Sequence, residues 1–100
     1  MALLDLLGRR WALRLLWELR DGDALTFREL QSHCGDVSSS VLNQRLRELR
    51  DAGVITQRPG GYVLTGEGKK LIIALAPVDE WANKWANKWA VRLSAAGQRE

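Results

Sequence analysis

The chain has one cysteine, one histidine, two prolines and no apolar run near the length of about 20 residues that spans a bilayer. Each shortage excludes something. Cys34 has no partner for an internal disulfide, and with His33 the only histidine there is no ligand set for a structural zinc. No metal and no other cofactor is expected. Acid is not in excess either: 15 Lys+Arg against 12 Asp+Glu give a net charge of +3. That balance permits a polyanionic partner without demanding one, so placement of charge matters more than its sum. The opening "MALLDLLGRRW" is apolar then basic, the reverse of a signal peptide, so a cytoplasmic protein without membrane association is expected. Catalytic machinery is also missing: no glycine-rich loop follows a strand, no nucleophile has a base beside it, and the carboxylates sit next to arginines as ordinary helix pairs. No catalytic residue is assigned, and the protein is not read as an enzyme.

What is present is a single small domain, residues 1–100, with five tryptophans. A domain this small with large apolar side chains often completes its core with a second copy. "MALLDLLG" reads as a short first helix. "RRWALRLLWELRDGD" carries Trp11, Ala12, Leu15, Leu16 and Leu19 at amphipathic helical spacing, with Leu13 and Trp17 forming a second apolar face. In "TFRELQSHC", Thr26 followed by Glu29 is a capping box, and Gly35 and Asp36 end that helix. Ser38 or Ser39 caps the next one, in which Leu42, Leu46 and Leu49 make a narrow inward stripe and Gly53 is the left-handed C-terminal stop. The period then changes: "VITQR" and "YVL" around "PGG" read as a two-stranded hairpin with a tight turn. Thr65 caps "GEGKKLIIALA", and Pro77 is placed in the first turn of a separate final helix bearing Trp81, Trp85 and Trp89.

Two consecutive helices joined by a short turn, then a hairpin, form a winged helix-turn-helix. The expected fold is therefore mainly α with a small β-hairpin: five to six helices plus a short two-stranded wing. In that arrangement the second helix of the pair enters the major groove. At about 100° per residue, the side opposite its leucines presents Ser40, Gln44 and Arg47, flanked by Ser39 and Asn43. Arginine can bond guanine at two atoms, asparagine or glutamine can do so with adenine, and serine with either. Ser38 belongs to the same helix start, whose free N–H groups suit a phosphate. Arg45 lies at the side, where a backbone phosphate or a carboxylate such as Glu48 or Glu29 would hold it equally well.

The blocks "LLGRRWALRLLWEL", "TFREL", "VSSSVLNQRLRELRDAGVITQR" and "YVLTGEGKKL" resemble the HxlR family of bacterial winged-helix transcription regulators, relatives of the MarR group. The likeness runs from Leu3 to Trp89 in order. It implies a homodimer on double-stranded DNA with a near-palindromic operator, paired through the first and last helices. The expected DNA-reading core is 26–64 and the dimerisation elements are 2–20 and 77–93. Candidate DNA contacts are Ser38, Ser39, Ser40, Asn43, Gln44, Arg45, Arg47 and Arg58. Candidate interface residues are Leu3, Leu4, Leu7, Leu13, Trp17, Trp81, Trp85 and Trp89. There is room for a small-molecule effector, whose identity the residues do not specify. Three features depart from the family pattern. The wing has almost no tip, Gly66 replaces a frequent proline, and no cysteine precedes the first helix, so the redox mechanism of some members is not expected. The competing reading is a winged-helix module that binds protein through its tryptophan-rich last helix and never touches DNA.

Overall fold

Eight large side chains set the core before any surface feature matters. Leu15, Leu16 and Leu19, Leu30, then Leu42, Leu46 and Leu49, and finally Ile55 are all fully buried. They come from successive elements of the computed structural model, which describes residues 2–98, with side chains over 2–90. The elements are α1 (Ala2–Leu7), α2 (Ala12–Glu18), α3 (Phe27–Cys34), α4 (Ser39–Asp51), β1 (Ile55–Arg58), β2 (Gly61–Leu64) and α5 (Gly66–Gln98). Apolar residues three and four apart put one stripe of each helix inward, with Leu30 and Cys34 forming that of α3, and the stripes of α2, α3 and α4 close on one another. The fold is a winged helix-turn-helix, as the residue pattern implies.

Three details differ from the expectation. Helix α2 begins at Ala12 rather than at the arginines, because Trp11 stands at its N-cap with φ 78, a left-handed conformation. Arg9 and Arg10 therefore belong to a corner between α1 and α2. The final two helices are one: α5 runs unbroken through Pro77. Proline removes the N–H that would bond the carbonyl of Ile73. Both residues lie on the exposed side of the helix, where solvent can satisfy that carbonyl, so the break expected there does not occur. The third detail is a strand contact no local pattern announces. Leu25 pairs with Tyr62, its N–H donating to the Tyr62 carbonyl at 3.1 Å and its carbonyl accepting from Tyr62 N at 2.7 Å.

That bridge ties the start of α3 to the wing. The hairpin itself is antiparallel with Ile55 opposite Leu64 and Arg58 opposite Gly61, leaving Pro59 and Gly60 as the whole turn. Gly61, at φ 132, passes so close to Leu25 that a Cβ would meet its carbonyl. Gly68, in the first turn of α5, is pressed onto the loop before β1 in the same way: a Cβ there would collide with the Val54 carbonyl. Thr65 fastens this junction. Its hydroxyl donates to the Gly53 carbonyl at 2.6 Å and accepts from Gly68 N at 3.1 Å.

The two glycines of the α5 start should therefore respond oppositely to alanine. Gly68→Ala is expected to destabilise by about 2 kcal/mol through backbone collision. Gly66→Ala, where nothing lies within 4 Å, should be neutral or stabilise by up to about 1 kcal/mol through helix propensity. Urea unfolding of the two variants measures both.

Candidate nucleic-acid interface

The site is built from α3, the turn after it, and α4. At its start, α3 carries the full capping box. Glu29 N donates to Thr26 Oγ1 at 3.1 Å, and Thr26 N donates to Glu29 Oε1 at 3.0 Å. These bonds, the backbone one first, hold the Glu29 carboxyl below its ordinary value of 4.5, because they favour the charged form. Gly35 ends the helix at φ 80. Val37 then inserts into the core, and Ser38 caps α4, its Oγ accepting from Val41 N at 3.2 Å. The turn is locked from behind by Gln31. Its Nε2 donates to the Val37 carbonyl at 3.3 Å and to Ser39 Oγ at 3.0 Å.

Beyond the cap, α4 divides into three faces. Leu42, Leu46 and Leu49 face the core. On one flank, Arg45 and Glu48 turn back onto the protein. Arg45 Nε donates to the Arg10 carbonyl at 2.9 Å, and its Nη1 pairs with Glu48 Oε1 at 2.8 Å. The other carboxylate oxygen, Oε2, takes Arg9 Nη1 at 2.7 Å. Arg45 is thus removed from the set of candidate DNA contacts. Of its two open uses, the carboxylate prevails, because the side chain is largely covered and a second acceptor, the Arg10 carbonyl, completes its bonding. The remaining face holds Ser40, Asn43, Gln44 and Arg47, all exposed. Among the described residues, Asn43, Gln44, Arg47 and Arg50 have no side-chain hydrogen bond or ion pair, and neither does Arg58 on the wing.

This separates the arginines into two groups. Arg9, Arg14, Arg20 and Arg45 are engaged within the protein. Arg47, Arg50 and Arg58 are not, and they gather at the exposed side of α4 and the hairpin. Arg47 and Arg50 line an open groove of about 440 Å³ with Asp51, Ile55 and Thr56. A fourth unpartnered arginine, Arg28 in the first turn of α3, escaped the sequence reading. Its signal was available in the "TFREL" block, one residue from the cap. The Leu25–Tyr62 bridge sets that turn beside the tip half of the wing.

The candidate interface residues fall in different places. Leu3, Leu4, Leu13, Trp81, Trp85 and Trp89 are exposed. The rings of Trp81 and Trp85 stack at 6.4 Å, and those of Trp85 and Trp89 lie 5.7 Å apart. Ile73 and Val78 are exposed on α5 as well and were not singled out. Leu7 is a correction: it is buried in the protomer's own core, because α1 folds back so that Leu7 joins the α2–α4 cluster. Trp17 is half-buried, with the Arg20 guanidinium 4.5 Å from its ring, and it lines an apolar groove of about 340 Å³ with Leu13, Ile72, Leu75 and Val78. Cys34 is buried at the end of α3, and burial pushes its thiol pKa up, with Arg14 opposing and Glu18 adding. A raised pKa keeps the thiol neutral and unreactive, which suits a packing role.

Comparison with known proteins places this geometry. The family model for the HxlR-like helix-turn-helix matches residues 6–90. The uncharacterized HTH-type transcriptional regulator YvaP of Bacillus subtilis is 32% identical over 87 positions, covering 80% of each chain. A solved MarR family regulator from Enterococcus faecalis is 31% identical, covers 87% of this chain and 84% of its own, and superposes with a TM-score of 0.75. The structure of an HxlR family factor from Thermoplasma volcanium gives the same TM-score, 0.75, at 26% identity over 84% of this chain and 81% of that one. These relatives are regulators rather than enzymes. No helix among the described residues is long and apolar enough to cross a membrane.

The depressed Glu29 pKa fixes the pH sense of the capping box. A carboxyl with a folded value below its unfolded one stabilises above the ordinary value of 4.5, and that contribution is lost as pH falls through the folded value. Glu29→Ala should therefore melt lower than the parent at neutral pH, and the two melting curves should converge at the acid end. A gap that stays constant with pH would remove charge from the explanation.

Proposed function

Because the chain belongs to the HxlR-like helix-turn-helix family of transcriptional regulators, which implies DNA-binding regulation, we propose that it reads a near-palindromic operator as a cytoplasmic homodimer. One observation carries the reading most: the outward face of α4 keeps Asn43, Gln44 and Arg47 exposed and unpartnered, while the arginine beside them is engaged. Side chains held ready and unsatisfied are what base edges in a major groove require. Ser40 belongs to the same face, whereas Ser38 and Ser39 chiefly shape the helix start: Ser38 takes the Val41 N–H, and the first-turn N–H groups before it suit a phosphate. Arg50 and Arg58 border this face and suit backbone phosphates, which position without specifying. The wing turn is only Pro59 and Gly60, so the hairpin is short and Arg58, paired with Gly61, stands at its tip rather than at its base.

Homodimer formation is supported by the apolar surface of α5. Val78, Trp81 and Trp85 are large, exposed and aligned along one side, with Leu3, Leu4 and Leu13 exposed on α1 and α2. A patch of that kind marks an association surface. A two-fold pair would present its two α4 helices to successive turns of DNA, about 34 Å apart. An effector, if the protein takes one, has a candidate place in the groove lined by Trp17 and Leu75.

Titration of operator DNA at several salt concentrations separates the roles. Arg47→Ala should lose about 1–3 kcal/mol and relax base preference, whereas Arg58→Ala should weaken all sequences alike and shallow the salt slope by about one. Weak binding indifferent to sequence, with a flat salt response, would count against the function and favour a protein-binding module. Trp85→Glu should turn the dimer into a monomer in sedimentation while leaving the helical content of the protomer intact. A variant that still sediments as a dimer would move the interface elsewhere.

A further inference from the structure

The three fully buried leucines of α4 lie along a single narrow stripe, with Val41 packed half-buried on one flank of it. A stripe fixes how close a helix approaches its neighbours but leaves its rotation about its own axis weakly determined. Rotation matters for a helix that reads bases. With side chains extending about 5–6 Å from the axis, a roll of about 10° shifts their tips by about 1 Å. That displacement takes a contact out of the range of about 2.7–3.2 Å that an N–H···O bond needs.

Glu48 lies on one flank of α4, between the leucine stripe and the outward face. Both its oxygens are used, by Arg45 at 2.8 Å and by Arg9 at 2.7 Å. Arg45 also grips the Arg10 carbonyl at 2.9 Å. Arg9 and Arg10 stand in the corner before α2, which is closed by Trp11 at φ 78. A left-handed tryptophan is a conformation that persists only where its surroundings hold it, and the Arg45 bond to the preceding carbonyl is one such hold. On the other flank of α4, Gln31 of α3 holds Ser39 at 3.0 Å. The helix is thus gripped from two sides, on one by Arg9 and the Arg10 carbonyl, far away in sequence, and on the other by Gln31 of the preceding helix. Glu48 and Arg45 are only 19% and 15% exposed, so this pair is shielded from the solvent that weakens surface ion pairs.

We infer that Glu48 is a positioning residue for DNA reading: by joining Arg45 to Arg9 it sets the roll of α4, and with it the aim of Asn43, Gln44 and Arg47. It does not touch DNA itself. A carboxylate facing a phosphate would repel it, and this one is neutralised by two guanidinium groups from its own chain. The inference rests on the DNA-reading function proposed above.

The test uses the full-length protein, an operator duplex selected from a random library with the parent protein, and a scrambled duplex of equal length. Glu48→Gln keeps the size of the side chain and loses its charge. Its ratio of operator to scrambled affinity should fall by about tenfold, the order of one misplaced base contact. Binding to the scrambled duplex should hold or strengthen, since Arg9 and Arg45 are released. Arg9→Ala, at a half-exposed residue, should lower the ratio in the same direction and provides the reading if Glu48→Gln does not fold. An unchanged ratio, or equal weakening on both duplexes, overturns the inference. If the parent protein itself fails to discriminate between the duplexes, the DNA-reading function fails, a different result from discrimination that survives the loss of Glu48.

Discussion

A helix that must present one face to another molecule cannot bury that face, and α4 accordingly gives the core Leu42, Leu46 and Leu49, with Val41 half-buried beside them. Nearly everything around it answers to this constraint. The helix capped by Thr26 ends at Cys34 and the one capped by Ser38 starts at Ser39, so the turn between them is short enough to be stiff. Val37 anchors that turn in the core, and Gln31 spans it. At the far end, Gly53 stops α4 in a left-handed conformation, and Thr65 ties that stop to the start of α5. The wing is attached to the same frame by Leu25, in addition to the buried Ile55 and Leu64 of its own two short strands.

Charge follows the same division. A net charge of +3 hides two populations of arginine. One is engaged within the protein, where Glu18 and Glu48 neutralise Arg14, Arg9 and Arg45 and the Trp17 carbonyl takes Arg20. The other stays unpartnered along α4, α3 and the hairpin. The polyanion-facing potential of such a protein comes from where its acids are spent, not from a surplus of base.

Much of this was legible in the residues because it is local. Thr26 with Glu29, Ser38 before a leucine stripe, and Gly53 after it are signals confined to one turn, and each sits where its chemistry predicts. What escaped reading depends on residues far apart. Arg45 and Arg47 are the same amino acid two positions apart, yet only the first has a carbonyl 35 residues away to bind. The left-handed Trp11 and the Leu25 bridge are set by packing, and no pattern of their neighbours announces them. Leu7 has the apolar character of Leu3 and Leu4, and only the fold-back of α1 puts it inside. Pro77 failed for the opposite reason: the local rule was sound, but an exposed carbonyl let the helix continue. Gly68 is set by packing as well: it is the space that lets α5 approach Val54.

The stacked rows of α5 also decide what light can report about this protein. Three of its five indoles, Trp81, Trp85 and Trp89, stand in mutual contact on an exposed helix face, remote from the leucine core. The other two carry a guanidinium over their rings, Arg10 on Trp11 and Arg20 on Trp17. Intrinsic emission is therefore weighted toward the surface of α5. Its colour follows what covers that helix, and the melting of the core has to be followed by another probe, such as backbone dichroism.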